Sequence, residues 1–105
     1  MAKLRFSRRA EGDLYDIAVY TLRTWGDTQT DRYICELEAC CRLLADSPGS
    51  GRACDEIRPG LRRVEHGKHV VFYREEDRGI LVCRILHQRM LPEIQAIDDA
   101  DDAPD

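Results

Sequence analysis

The sequence predicts one α+β domain in which an antiparallel helix hairpin packs on one face of a small, mostly antiparallel sheet. Two observations lead to this fold class. Between residues 10 and 44, apolar side chains recur every three or four positions, which is the spacing of amphipathic helices. After residue 60 the chain changes to short segments rich in Val, Ile, Phe and Tyr, which is typical of strands. The expected element order is therefore β-α-α-β-β-β.

The opening residues predict a strand followed directly by a helix. Residues 3–7, KLRFS, alternate charged and apolar side chains, as a short strand does. Ser7 can cap the helix, because a serine hydroxyl accepts a hydrogen bond from a free N–H of the first turn. Gly26 is expected to end the helix in a C-cap conformation. The predicted buried stripe comprises Ala10, Leu14, Ile17, Ala18, Thr21, Leu22 and Trp25.

A second helix is predicted from Asp27 or Thr28 to the DSPGSG segment, where Pro48 and the following glycines prevent its continuation. Two helices of similar length joined by so short a link form an antiparallel pair. The predicted apolar face of the second helix comprises Tyr33, Ile34, Leu37, Cys40, Cys41 and Leu44.

Three strands are predicted to follow as an antiparallel meander: LRRVEH, HVVFYR and GILVCRILH. Gly67 marks the first tight turn, and Gly79 marks the second. The last strand is apolar on both faces, which is typical of a strand that is covered on both sides. Strict alternation divides it into Ile80, Val82, Arg84 and Leu86 on one face and Leu81, Cys83, Ile85 and His87 on the other.

Two helices can cover only one face of this sheet. We therefore expect the other face to expose large apolar groups beside arginines, and such patches usually mark a partner-binding surface. The alternative is that the sheet coils, or that the C-terminal tail folds back, so that the chain covers this face itself.

Charge divides the chain into a mildly basic body and an acidic tail. Residues 1–90 contain all 16 Lys and Arg against 14 acids, a balance of +2, whereas residues 91–105 contain six acids and no base. We interpret residues 1–91 as the domain and residues 92–105 as a flexible acidic tail. A balance of +2 is weak evidence for nucleic-acid binding, so we expect no sequence-specific binding of nucleic acid by this chain alone.

The remaining composition indicates a cytoplasmic protein without a cofactor. The sequence has no apolar run long enough to cross a bilayer and no secretory signal at its N-terminus. The five cysteines are odd in number and form no CxxC pair, so we interpret them as thiols that pack as small apolar residues. We predict no metal site.

Three separated segments, EIRPGLRR, GKHVVFYR and RILHQRM, together with the LADSPGSGR exit from the second helix, resemble the ParE branch of the ParE/RelE toxin superfamily. The resemblance runs from about residue 3 to residue 91. It implies the toxin of a type II toxin–antitoxin pair, neutralised by tight binding of a cognate ParD-like antitoxin. ParE members are reported as poisons of DNA gyrase, and RelE members cut messenger RNA on the ribosome.

The resemblance leaves the target open, because RNA cleavage would need a base, an acid and cations. The residues that could supply them are His66, His69, His87, Tyr73, Arg58, Arg62, Arg63 and Arg84. Each also has a structural interpretation: the histidines as solvated or backbone-capping groups, Tyr73 as a core or rim residue, and Arg62 and Arg63 as ion-paired groups. Cleaving members of the RelE branch tend to carry several lysines, whereas this chain has only Lys3 and Lys68.

The scarcity of lysine favours a gyrase inhibitor that acts by binding, and we assign no catalytic residue. A ribosome-dependent mRNA endonuclease and a non-toxic, antitoxin-binding regulator remain as alternatives. Arg58 is expected to make one specific contact, because Pro59 and Gly60 fix the chain beside it. The candidates for contact with the antitoxin or the target are Arg58, Arg62, Arg63, Val70, Phe72, Tyr73, Arg74, Val82, Arg84 and His87.

Overall fold

The structure is a computed structural model, and it describes residues 2–90. Its elements are β1 (Lys3–Phe6), α1 (Arg8–Trp25), α2 (Asp27–Asp46), β2 (Arg52–Ala53), β3 (Leu61–His66), β4 (His69–Glu76) and β5 (Gly79–His87), with short 3-10 turns at Pro48–Ser50 and Gln88–Met90. The five strands form one sheet in the order β1-β5-β4-β3-β2. β1 is parallel to β5, and the other neighbours are antiparallel. The predicted α+β class and the antiparallel β3–β4–β5 meander are confirmed.

The start of α1 is fixed to the sheet by Ser7. The Ser7 hydroxyl accepts a hydrogen bond from the Ala10 N–H at 3.0 Å and donates one to the Cys83 carbonyl at 2.7 Å. The predicted cap is therefore confirmed, and it also connects the helix to β5. Gly26 adopts φ +87° between α1 and α2, as the C-cap prediction required.

The predicted buried stripes are confirmed for α2 and only in part for α1. On α2, Leu37, Cys41 and Leu44 are buried. On α1, Ala10, Ile17 and Thr21 are buried, but Leu22 and Trp25 are exposed. The prediction was wrong for Leu22 and Trp25. Leu22 directly follows a buried position, so it lies about 100° around the helix from the core-facing stripe, and Trp25 lies in the last turn, next to the link between the helices.

Two short-range predictions about the sheet need correction. The loop after α2 contains β2, whose two residues pair with Arg63 and Arg62 of β3. The second hairpin turns on Arg78, which has φ +68°, and Gly79 is already the first residue of β5. Gly79 is needed there because a Cβ would collide with the backbone of Lys3 in the neighbouring strand.

A β-bulge overturns the strict alternation predicted for β5. Tyr73 pairs with Val82 and Phe72 with Arg84, so the register shifts by one residue and Cys83 is the extra residue. As a result Ile85 packs in the helix-side cluster with Val82, and Leu86 packs on the opposite face. The prediction placed these two side chains on the wrong faces.

The sheet has a buried cluster on each face. The helix-side cluster contains Ala10, Ile17, Leu37, Cys41, Leu44, Ala45, Val71, Tyr73, Ile80, Val82 and Ile85. The far-side cluster contains Cys54, Leu61, Val70, Phe72, Leu81, Cys83 and Leu86, with Ile57 packed against it.

The predicted open apolar face is therefore wrong for the described residues. Every member of the far-side cluster is at most 5% exposed. Part of the cover comes from residues 54–60, for which no helix or strand was predicted and which bring Cys54 and Ile57 onto this face. The exposed large apolar side chains of the described chain lie on the helices instead: Tyr15, Tyr20, Leu22, Trp25 and Leu43.

All five cysteines lie in the described chain and are thiols. Burial raises the pKa of Cys41 to about 12, which keeps it protonated and inert as an apolar core residue. No helix within residues 2–90 combines the length and the apolar composition that crossing a bilayer requires. The predicted acidic tail lies outside the described residues.

Candidate functional site

Two of the hairpin arginines are engaged within the chain. Arg62 donates a hydrogen bond to the Gly51 carbonyl at 2.7 Å. Arg63 lies 3.7 Å from Glu65, which also pairs with Arg52 at 2.8 Å. The expected ion pairing is confirmed for Arg63, whereas Arg62 binds a backbone carbonyl. Arg62 attaches β3 to the segment before β2, whereas the Arg63–Glu65 pair lies within β3 and reaches β2 through Arg52.

Tyr73 is a core residue whose hydroxyl is bound by the backbone on two sides. It donates to the Pro48 carbonyl at 2.8 Å and accepts from the Gly51 N–H at 2.8 Å. Its side chain is fully buried in the helix-side cluster. Desolvation by this burial raises the pKa of Tyr73. A Cβ at Gly51 would collide with this ring, so the glycine is needed for the close approach of the chain.

Arg84 forms a largely buried ion pair with Asp13. Its guanidinium donates two hydrogen bonds to Asp13 on α1, at 2.8 and 3.0 Å. Asp13 also accepts the backbone N–H of Ile85 at 2.8 Å. That N–H lies beyond the last pair between β1 and β5, which joins Phe6 to Val82. Asp13 therefore fixes α1 to the part of β5 that β1 does not reach.

Three of the predicted contact residues are buried apolar groups. Val70 and Phe72 belong to the far-side cluster, and Val82 belongs to the helix-side cluster. The strand pattern placed them on a surface, whereas in the folded chain they contact their own core. Burial likewise withdraws Tyr73 from the accessible surface.

Arg58 lies in the turn that precedes β3. Its backbone carbonyl accepts from the Leu61 N–H at 3.1 Å, and its N–H donates to Cys54 at 3.1 Å. Gly60 has φ +84°, and its N–H donates to Asp55 at 2.9 Å. The turn is thus held by hydrogen bonds on both sides of Pro59. Arg58 itself is half-buried in this turn.

Arg74 lies on β4 near the Arg5–Glu76 pair. Arg5 donates two hydrogen bonds to Glu76, at 2.9 and 2.7 Å. This hydrogen bonding, followed by the positive charges of Arg5 and Arg74, holds the pKa of Glu76 below its ordinary value. Arg74 therefore contributes to a partly exposed charge network at the β1 side of the sheet.

The histidines gather with Tyr33 at the opposite end of β4. The Tyr33 hydroxyl donates to the His66 carbonyl at 3.2 Å and also contacts Nδ1 of His69. The rings of His69 and His87 meet edge to face with centroids 5.4 Å apart. His66 approaches Glu36 at 3.8 Å, and His87 Nδ1 accepts the Arg89 N–H at 3.1 Å.

His69 is held in its neutral form within this group. Burial is the largest cause, and repulsion from His87 and His66 adds to it, so that the pKa of His69 falls to about 4. The Tyr33 hydroxyl contacts Nδ1 of His69, so Nε2 is the ring nitrogen that does not face Tyr33. No local pattern in the sequence places Tyr33 beside these histidines, because α2 and β4 are far apart in sequence.

Two adjoining cavities open beside the histidines. The first has a volume of about 310 Å³ and lies between the link joining the helices and the β3–β4 turn, where Trp25 and Lys68 line it. The second, of about 340 Å³, lies along α1 and is lined by Asp13 and Asp16. Tyr20, His69 and His87 line both cavities. Within the described residues, no three His, Cys, Asp or Glu side chains converge as metal ligands would.

The exposed face of α1 was missed by the sequence analysis. Tyr15, Val19 and Leu22 follow the i, i+4, i+7 spacing, and Tyr15 and Leu22 are exposed. This second stripe is visible in the sequence. It was overlooked because Leu22 had been assigned to the core-facing stripe.

Known proteins similar to this chain agree on one family. Residues 4–92 match the family described as the ParE toxin of the type II toxin-antitoxin system, parDE. Toxin ParE1 of Caulobacter vibrioides is 43% identical over 90 residues, which cover 86% of this chain and 93% of that toxin. Toxin ParE1 of Mycobacterium tuberculosis is 44% identical over 85 residues, covering 80% of this chain and 87% of that toxin.

A solved structure agrees with the fold. A chain described as the chromosomal ParDE TA system from P. aeruginosa matches with a TM-score of 0.69, covering 83% of this chain and 96% of that one. Because the two chains share 22% sequence identity, this likeness supports the fold alone, which is two helices on a mostly antiparallel five-stranded sheet.

Proposed function

The chain belongs to the ParE toxin family and is the toxin of a type II toxin–antitoxin system, and we propose that, when free, it inhibits DNA gyrase by binding. A cognate ParD-like antitoxin neutralises it by occupying its surface. A cytoplasmic location is part of this proposal, because gyrase and its DNA are there.

The proposal that the chain binds its target without cleaving RNA rests on the burial of the Tyr73 hydroxyl. Cleavage of RNA needs a base, an acid and cations that can reach the scissile phosphate. The Tyr73 hydroxyl is buried between two backbone groups, and the Arg62 guanidinium is bound to the Gly51 carbonyl. Neither group can reach a substrate without disrupting the segment that follows α2.

A ribosome-dependent mRNA endonuclease remains the second candidate, and one observation favours it. His69 and His87 are in ring contact and line both cavities, and a pair of imidazoles can serve as acid and base. If this alternative holds, His69→Gln should abolish activity while Tyr73→Phe retains it.

Expression of the chain in the absence of its antitoxin separates these functions. Gyrase inhibition predicts growth arrest with filamentation and DNA-damage signalling, together with loss of supercoiling by purified gyrase. Rapid loss of messenger RNA with normal gyrase activity would contradict the proposal and support the endonuclease. Normal growth, with intact antitoxin binding, would indicate the non-toxic regulator.

Arg58 offers the sharpest test among the predicted contact residues. Arg58→Glu reverses a charge on a turn that its own hydrogen bonds hold, and we expect weaker antitoxin binding, weaker toxicity or both. Arg32→Glu is the matched control, because Arg32 is an exposed arginine on α2. Retention of both properties by Arg58→Glu would remove this turn from the binding surface. Arg84→Glu is less informative, since it would also place two carboxylates together at Asp13.

A further inference from the structure

The cavity between the helix link and the β3–β4 turn, which we call the helix-joint cavity, combines aromatic walls with a basic end. Tyr20 and Trp25 line it and are 66% and 65% exposed. Aromatic side chains of this size are normally packed, and two exposed ones beside one concave site can stack on a planar ligand. Stacking on such faces accepts any nucleobase, because every base has a π-face.

Lys68 of the β3–β4 turn is a cationic group that lines the helix-joint cavity. The neutral His69 and the imidazole of His87 line the same cavity. Gly67 precedes Lys68 with φ +58°, and a Cβ there would lie 2.8 Å from the Tyr33 hydroxyl, so this turn can close against α2 only with glycine. The carboxylates of Asp13 and Asp16 line the adjoining cavity, which shares His69 and His87, whereas Lys68 lines this cavity and not that one, so an anion is favoured at Lys68.

We propose that the helix-joint cavity binds a nucleotide, with its base against Trp25 and Tyr20 and its phosphate at Lys68 and His87. The volume of about 310 Å³ is at the lower limit of ligand pockets, which suits one nucleotide and no more. The same chemistry is offered by a free nucleotide and by an unstacked nucleotide of a single strand. This site goes beyond the toxin function and does not depend on the identity of the toxin's target.

Intrinsic fluorescence tests the site directly, because Trp25 is the only tryptophan of the chain. Titration of the full chain with ADP, excited at the red edge of the indole band, should quench the emission saturably. Adenosine and inorganic phosphate alone should each bind at least about 10-fold more weakly, since each makes only one of the two contacts. A short single-stranded DNA oligomer distinguishes the two possible ligands. Much tighter binding of the oligomer than of ADP indicates a nucleotide within a strand, and equal affinity indicates the free nucleotide.

The two lysines of the chain provide a matched pair of variants. Lys68→Ala should weaken ADP binding about 10-fold, as expected for loss of one charged phosphate contact, whereas Lys3→Ala should leave it unchanged. His87→Gln should also weaken it, and thermal unfolding establishes that each variant is folded. Absence of saturable quenching at millimolar ADP, or equal binding by the Lys68 and Lys3 variants, would overturn the proposal.

Discussion

The two faces of this sheet are buried to a similar extent but are fixed in different ways. On the helix side, polar groups set the geometry: the Ser7 hydroxyl binds the Cys83 carbonyl, Asp13 binds Arg84 and the Ile85 N–H, and Tyr73 binds the segment after α2. On the far side, Phe72 and its neighbours pack against Cys54 and Ile57, and apolar contact dominates.

This difference separates two roles that one sheet must fulfil. Directional hydrogen bonds and the Asp13–Arg84 pair specify where the helices lie on the strands, because they are satisfied in only one arrangement. Apolar packing on the far side adds stability in proportion to the area buried and specifies less. Partner-binding residues are therefore to be sought on the rims and on the exposed helix stripe rather than on the far side.

The largest expected loss of stability comes from a substitution in the far-side cluster. Phe72 is fully buried there, so Phe72→Ala should lower the free energy of unfolding by about 3–5 kcal/mol. Phe6→Ala, which changes the chain's only other phenylalanine at a half-buried position, should cost less. Denaturant unfolding measures both variants. A smaller loss for Phe72 than for Phe6 would mean that the far side is not a core.

The second largest loss of stability comes from removing the polar contacts that attach α1 to β5. Asp13→Ala removes one partner of a largely buried ion pair and also the acceptor for the Ile85 N–H, so we expect a loss of about 3 kcal/mol. Asp16→Ala, an exposed change on the same helix, should stay within about 0.5 kcal/mol of wild type. Equal losses in thermal or denaturant unfolding would contradict the assigned role of Asp13.

A smaller effect tests the hydroxyl of Tyr73. Tyr73→Phe keeps the ring but leaves the Gly51 N–H and the Pro48 carbonyl without this partner, which should cost about 1–3 kcal/mol. Tyr15→Phe, at a highly exposed position, should have almost no effect. If Tyr73→Phe is equally neutral in equilibrium unfolding, the hydroxyl does not fix the segment after α2.

The smallest effect concerns the pH dependence of stability and depends on His69, the first residue of β4. The pKa of His69 is about 4 in the folded chain, below its ordinary 6.5, so the unfolded chain binds this proton first. Neutral His69 therefore makes its full contribution to the free energy of unfolding above pH 6.5. This contribution is lost as the pH falls from 6.5 towards 4. We expect His69→Gln to lose less stability than wild type across that interval. Parallel pH profiles of the two proteins would exclude the effect.

Much of the fold could be predicted from the sequence because its signals are local. The Ser7 cap, the Gly26 link and the Gly67 turn each depend on one residue and its neighbours, and each is confirmed. The resemblance of the separated segments to ParE toxins also predicted the family correctly.

The errors about the faces of the sheet have a different cause, since each depends on a contact between distant segments, whereas the errors at Leu22 and at the Arg78 turn were local. The bulge at Cys83 arises from pairing with β4, and it moved Ile85 and Leu86 to the opposite faces from those predicted. The cover of the far side comes partly from Cys54 and Ile57, which have no strand or helix pattern. The contact between Tyr33 and His69 joins α2 to β4 and has no local signal at all.

The central claim, that the sheet has a core on both faces, is tested most directly by two adjacent valines of β4. Val70 is 3% exposed in the far-side cluster, and Val71 is 0% exposed in the helix-side cluster. Val70→Ala and Val71→Ala remove the same atoms from opposite faces, and each should lower the free energy of unfolding by about 2 kcal/mol in the full chain. A normal loss for Val71→Ala beside a negligible one for Val70→Ala would show that the far side is open, and would contradict the account.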